Sequence, residues 1–350
     1  MAEVSKVRLA FFLVLSTLTI TFVFYAYQVL YTANILVDKE DKVFTIHSGT
    51  TFRKVQEDLG KNYVNDMVSF SFLARLSGYD KQIVPGRYIL KRNMTNLQAL
   101  RILKSGHQEV VKVTFSYVRL RSELVQKMTQ YVGMMPKELD EAIDEFVKGN
   151  NEGFTTENVA CMFLPNTYEV YFNILPEDLV TKMNTEYKKF WNDERTQKAK
   201  DIGLTPIEVS ILASIVQAET VKEDEAPKIA GLYLNRLRID MALQADPTLV
   251  FASGDFALKR VLNEHKEIDS PYNTYKYPGL PPGPINIPQI ASIDAVLNAD
   301  KNKYLYMCAK EDFSGYHNFA KTLEEHSVFA RKYQRALSAE MRKAAEKKGK

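Results

Sequence analysis

Cysteine is nearly missing from this chain of 350 residues, with only Cys161 and Cys308 present. Two cysteines cannot build a disulfide framework or a cysteine-rich zinc site, and they leave room for one bridge at most. The five histidines include no pair at short helical spacing, so neither a metal site nor a cofactor is expected. An excess of one charge is missing as well. The 46 Lys and Arg face 43 Asp and Glu, and a net charge of +3 gives no reason to expect nucleic acid as a partner. The remaining composition, 45% apolar and 25% charged, is that of an ordinary folded protein long enough for roughly two domains.

One long stretch lacks charge altogether. No charged residue occurs from Leu9 to Val37, and Leu9–Tyr31 is long enough to cross a bilayer as a helix. Lys6 and Arg8 precede it and the mixed-sign segment Asp38–Lys42 follows, which predicts residues 1–8 as a cytoplasmic tail, 9–31 as the span and the bulk outside. Tyr25, Tyr27 and Tyr31 stand where an outer aromatic belt belongs. A cleaved signal peptide is the competing reading, but the apolar run is too long and no clear Ala-x-Ala site follows it.

Residues 43–106 alternate between strand and helix signals. Val43–Ile46 reads as a strand, Thr50–Leu59 and Asp66–Leu76 as helices, Val84–Leu90 as a turn and strand, and Asn96–Lys104 as a helix ended by Gly106. The order suits a small α+β unit with helices on a short sheet. Residues 109–200 read as a mostly helical connecting region with one strand, Val110–Phe115. Within it lies the apolar island Met162–Tyr171, and Glu177–Lys200 reads as a solvated helix. From 201 to 345 comes a mixed α/β region, with a short strand at Thr248–Phe251, a late helix at Gln289–Leu297, a strand at Lys303–Ala309 and a basic helix beyond Ala330. The loop Pro271–Pro288 holds six prolines and two glycines in 18 residues, which fixes its backbone without secondary structure. Such a long loop inside a domain is usually functional.

One carboxylate stands out. Thr205-Pro206-Ile207-Glu208 carries an N-cap, a proline at the first helical position and a glutamate able to close a capping box. The helix it opens places Glu219 in line with Leu212, Ile215 and Val216. Apolar neighbours and a carbonyl-rich helix end both raise a carboxyl pKa, as a general acid requires. A glutamate on the last turn that simply reaches solvent explains the same spacing.

Further motifs carry a resemblance. Ala213-Ser-Ile-Val with Glu219-Thr220, Asn235-Arg-Leu237, Leu243-Gln-x-Asp-Pro-Thr248, Tyr272-Asn-Thr-Tyr275, Gly279-Leu-Pro-Pro-Gly-Pro-Ile285 and Gly315-x-His-x-Phe319 follow in order. Together they resemble the endolytic murein transglycosylases of the YceG-like group. The resemblance implies an N-terminal anchor in the inner (cytoplasmic) membrane, a LysM-like module at 43–106 and a catalytic domain at 201–345. It places the catalytic glutamate on Glu219. Two departures stand out: Asn166 occupies the usual aspartate position of a Pro-Asp-Thr-Tyr segment, and Phe115-Ser-Tyr-Val118 replaces a Pro-Glu-Gly.

The chemistry implied is cleavage of the β-1,4 bond between N-acetylmuramic acid and N-acetylglucosamine. Glu219 acts first as acid and then as base while the muramic acid C6 hydroxyl closes a 1,6-anhydro ring. Gln244, Asn273 and Thr274 can hydrogen-bond sugar groups, Tyr272 and Tyr275 offer flat faces, and Asp246 can orient the site or cap a turn. Asn273 and Tyr275 serve equally well as loop architecture; His317 can hydrogen-bond Glu219 or the substrate, though a structural histidine explains it as well. The implied partners are nascent peptidoglycan strands, the cytoplasmic membrane and peptidoglycan synthases. Two other classes stay open: a water-using muramidase with Asp246 or Glu223 as second carboxylate, and a silent glycan-binding scaffold.

Overall fold

The computed structural model describes residues 6–106, 108–258 and 260–348; residues 1–5 of the expected cytoplasmic tail lie outside the described residues. In chain order the elements are α1 (Lys6–Tyr31), β1 (Ala33–Ile35), β2 (Lys42–Ile46), α2 (Phe52–Asn62), α3 (Met67–Leu76), β3 (Gly86–Leu90), β4 (Met94–Thr95), α4 (Asn96–Ser105), β5 (Val110–Phe115), α5 (Arg121–Thr129) and α6 (Pro136–Gly149). There follow β6 (Asn166–Tyr171), α7 (Pro176–Phe190), α8 (Asp193–Asp201), α9 (Pro206–Glu219), α10 (Ala226–Arg238), α11 (Asp246–Ser253), α12 (Ile290–Leu297), β7 (Tyr306–Ala309), β8 (His317–Ala320) and α13 (Leu323–Lys348). The strands form four two-stranded ribbons, β1–β4, β2–β3, β5–β6 and β7–β8, so the fold is mixed α+β. Two compact units divide the chain. The first holds residues up to Val113 with Thr129–Met134 and Tyr168–Leu175; the second holds Thr114–Met128, Met135–Thr167 and everything from Pro176.

In the first unit, α1 is a single apolar helix of 26 residues whose side chains are exposed as far as Tyr25. Its length and composition suit a membrane span. β2 pairs antiparallel with β3 from Lys42 opposite Leu90 to Ile46 opposite Gly86. Period-two alternation turns Phe44 and Ile46 inward, where Tyr88, Leu90, Phe70, Leu73, Leu59 and Leu103 close the core. Side-chain caps start the three helices around it: Thr51 on α2, Asp66 on α3, and a Thr95–Gln98 capping box on α4. Gly106 ends α4 at φ 69°, a left-handed turn that glycine adopts without strain.

The second unit is built around α9. Thr205 Oγ1 accepts from the Glu208 amide, and Glu208 Oε2 accepts from the Thr205 amide at 2.7 Å, which closes the capping box. Every residue from Val209 to Val216 is buried, so this helix is covered on all sides. α8, α10, α11 and α12 supply the cover. Gly231 lets α10 approach closely, because a Cβ there would stand 2.3 Å from the Asp300 carbonyl oxygen.

Four sequence expectations are corrected here. Glu177–Lys200 is two helices rather than one solvated helix, and α7 buries Leu179, Val180, Met183 and Tyr187 beneath its charges. Thr248–Phe251 lies within helix α11, not a strand, although its side chains favour strands. In the helix both Thr248 and Leu249 are fully buried, and Thr248 Oγ1 meets the Ala245 carbonyl at 2.7 Å and Thr274 Oγ1 at 2.8 Å. Tertiary burial overrides the local preference. Finally, the last helix starts at Leu323, before Ala330, and the strand expected at Lys303–Ala309 shortens to β7, whose Cys308 faces Asn318 of β8.

Candidate active site

Glu219 is the final residue of α9, and its carboxyl opens onto a cavity of about 220 Å³. The walls come from α10 (Leu232, Tyr233, Arg236), from Leu243, Gln244 and Asp246 at the start of α11, from Tyr275, from Met307, Cys308 and Ala309 of β7, and from His317 of β8. Tyr233 Oη donates to Glu219 Oε1 at 2.7 Å. Burial pushes the Glu219 carboxyl from 4.5 up to about 7; the Tyr233 hydrogen bond opposes the shift, the nearby Asp246 charge adds to it, and His317 and Arg236 act against it. A carboxyl balanced near neutrality can give a proton and take it back. That is the capacity the cavity offers.

Hydrogen bonds to the backbone hold the walls. Arg236 is buried and donates from Nε to the Leu305 carbonyl at 2.6 Å and from Nη1 to the carbonyls of Leu243 at 2.6 Å and Ala242 at 3.3 Å. One guanidinium thereby ties the segment before α11 to the segment before β7. Tyr275 Oη donates to Asp246 Oδ1 at 2.5 Å. His317 makes two hydrogen bonds to buried Glu225: the His317 amide donates to Oε1, and Nδ1 lies 2.8 Å from Oε2.

Of the residues proposed from sequence, Gln244, Asp246, Tyr275 and His317 meet Glu219 on this cavity. Tyr272, Asn273 and Thr274 do not. Asn273 is fully buried, donating to the carbonyls of Lys266 and Ile268 and accepting from the Tyr275 amide. Thr274 Oγ1 accepts from the Ala245 amide at 3.0 Å, and its carbonyl oxygen accepts from the Gln244 amide. Tyr272 packs its ring 4.7 Å from that of Phe251. These three shape the loop that presents Gln244 and Tyr275. Glu223 is exposed and absent from the cavity lining. His317 bonds Glu225 rather than Glu219. Sequence reasoning gave Tyr233, Arg236 and Glu225 no role at the site. Arg236 alone carried a signal, through the motif Asn235-Arg-Leu237. Both cysteines are free, Cys161 buried and Cys308 on the cavity wall, so no bridge forms. Among the described residues no group of His, Cys, Asp and Glu is arranged to hold a metal ion.

Comparison with known proteins matches residues 44–332 to the YceG-like family. An endolytic murein transglycosylase of Bacillus subtilis is 38% identical over 157 residues, covering 45% of this chain and 42% of the relative. One from Streptococcus pneumoniae is 27% identical over 340 residues, covering 87% of this chain and 61% of the relative. This chain therefore spans less than two thirds of either relative. The crystal structure of a yceG-like protein from Listeria monocytogenes superposes with a TM-score of 0.53 at 25% identity, over 83% of this chain and 98% of that one.

Proposed function

Because the chain belongs to the YceG-like family, we propose that it is a membrane-anchored endolytic murein transglycosylase with Glu219 as its acid and base. The observation that carries this reading is a buried carboxyl raised to about 7 on a cavity that it shares with Tyr233, Gln244, Asp246, Tyr275 and His317. Protonated Glu219 donates to the glycosidic oxygen between N-acetylmuramic acid and N-acetylglucosamine. The carboxylate left behind takes the proton of the C6 hydroxyl as the 1,6-anhydro ring closes. Tyr233 holds Oε1 in place throughout, and Gln244, Asp246, Tyr275 and His317 border the sugar. Mass spectrometry of fragments released from purified sacculi tests this: the ends should be 1,6-anhydromuramoyl, with no oxygen from labelled water. Asp246 shares the cavity and keeps one second reading, a water-using muramidase, which labelled oxygen in the product would select.

The pH dependence follows from the raised carboxyl. The acid step needs the proton, so kcat/KM should fall as pH rises through about 7 rather than through the ordinary 4.5. Stability shifts in the same window. Between 4.5 and about 7 the native state holds a proton that the unfolded chain has released, so stability should decline as pH rises across it. A pH–rate profile on sacculi whose alkaline limb sits near 5 would remove the raised-pKa premise.

The anchoring part rests on α1, a helix long and apolar enough to cross a membrane. It should hold the protein in the inner membrane with the bulk outside the cytoplasm, beside newly made strands and the synthases that extend them. A reporter active only outside the cytoplasm, fused after residue 350, should work; activity of a cytoplasm-only reporter there would reverse the topology. The module at 43–106 is read as LysM-like and glycan-holding. A depression of about 400 Å³ between the start of α2 and the turn before β3, lined by His47, Thr50, Asp80 and Lys81, supports that role. Lys81→Glu should weaken retention on sacculi, and unchanged retention would make the module a spacer.

A further inference from the structure

On the reading that α1 spans the membrane, we propose that α3 is a second membrane contact, its outer face lying in the lipid headgroup–acyl boundary beside the span. α3 exposes Val68 (74%), Phe72 (55%) and Leu76 (73%) while burying Phe70, Leu73 and Ala74. Spacing of four residues places the exposed three along one side of the helix. With Met67, Ser71 and Arg75 they line a shallow, mostly apolar depression. α2 shows what a solvated face of this module looks like: Arg53 pairs with Glu57 and Lys54 with Asp58 across its surface. Between residues 38 and 113 the only other exposed large apolar side chains described are Ile89 and Val110, each standing alone.

What covers the stripe follows from how α1 joins the module. Val29, in the last turn of α1, is buried, and its carbonyl accepts from Asn96 Nδ2 at 3.0 Å. The same Asn96 amide reaches Ser69 Oγ at 3.1 Å, and Asn34 Nδ2 reaches Asn96 Oδ1 at 2.7 Å and the Asp66 carbonyl at 2.8 Å. Asn34, Ser69 and Asn96 are all buried, so the clamp is dry and its bonds are costly to break. No flexible linker separates the span from α3. Ser69, inside the clamp, neighbours Val68 and precedes Phe72 by three residues, which sets the stripe beside the point where the span ends. Tyr27 and Tyr31, exposed with rings 5.6 Å apart, mark an interfacial depth on α1 just before it.

Charge favours lipid as the occupant. α3 contains no acidic residue, Arg75 lies in its last turn, and Lys104 Nζ caps its C-terminal end through the Ser77 carbonyl. Cations flanking an apolar face suit anionic headgroups. The contact would fix how the first unit stands on the bilayer, where a lone span would let it tilt.

The full chain in nanodiscs of phosphatidylethanolamine and phosphatidylglycerol tests this, with Trp191, the chain's single tryptophan, as background. Phe72→Trp should lose roughly half or more of its added emission to lipids brominated near the glycerol end of the acyl chains, as suits a ring about 5–10 Å into the boundary. Arg53→Trp, on the ion-paired face of α2, should keep its emission. Resistance to alkaline carbonate extraction with no quenching at position 72 would overturn the α3 contact and leave the anchor standing. Equal quenching at 53 and 72 would also overturn it, since the stripe would then have no special place. Extraction by carbonate would instead remove the anchoring reading on which the proposal rests.

Discussion

Glu219→Gln should abolish cleavage of sacculi, lowering the rate by about 10⁴-fold or more, the upper end of a general acid–base contribution. Both proton transfers of the proposed reaction pass through this one group, so both are lost together. The amide keeps the size of the side chain and an oxygen that can accept from Tyr233 Oη, the bond now made at 2.7 Å. The fold should therefore survive. Stability should change with a definite sign. Above pH 7 the wild-type site holds an anion that burial disfavours, whereas the amide is neutral at every pH. The variant should be more stable than wild type there by roughly 1–3 kcal/mol, and the difference should vanish below the ordinary carboxyl range. Denaturant melts at two pH values and product analysis check both halves. A variant that still cuts at the wild-type rate would move the chemistry to another carboxylate, with Asp246 the first to test because it shares the cavity.

Arg236→Met is expected to be the most damaging change to the scaffold of the site. It removes the donors to the carbonyls of Leu305, Leu243 and Ala242, the second of these bonds buried and the other two part-buried. Each orphaned acceptor costs about 1–3 kcal/mol, so a loss of roughly 3–5 kcal/mol is expected if water reaches part of the set. Arg236→Lys should rescue only a fraction, because a single ammonium cannot reproduce a planar fork aimed at two segments. A second readout separates this from generic destabilisation. The guanidinium favours the anion of Glu219, so in the protein that remains folded the alkaline limb of the pH–rate profile should move upward. A melt indistinguishable from wild type would show that the three carbonyls find other donors, and an unmoved limb would show that the charge is screened from Glu219.

The local elements were largely legible because their causes lie within a few residues. Thr205, Pro206 and Glu208 start α9 by contacts inside one turn. Gly106 ends α4 for a conformational reason of its own. The uncharged run to Val37 is a matter of composition, and the α1 helix follows from it. Legibility failed where burial outweighed local preference. Thr248–Leu249 prefers a strand in isolation, yet the helix sinks both side chains and lets Thr248 reach Thr274. α7 hid its apolar stripe among evenly spread charges.

The site divides along the same line. Sequence alone determined where a carboxyl ends a buried helix and which short motifs accompany it, since helical spacing and turn chemistry are nearest-neighbour properties. Only the tertiary structure decided which motif residues face that carboxyl. It turned Asn273 and Thr274 inward as loop braces and brought Gln244, Asp246, Tyr275 and His317 to one cavity. It also set Tyr233 against Glu219 across the turn between α9 and α10, and aimed Arg236 at carbonyls from two separate segments. The raised carboxyl pKa belongs to this second class. Burial and the pull of neighbouring charges depend on distances through space, and residues as far apart in the chain as Glu219 and His317 acquire such distances only when the chain has packed.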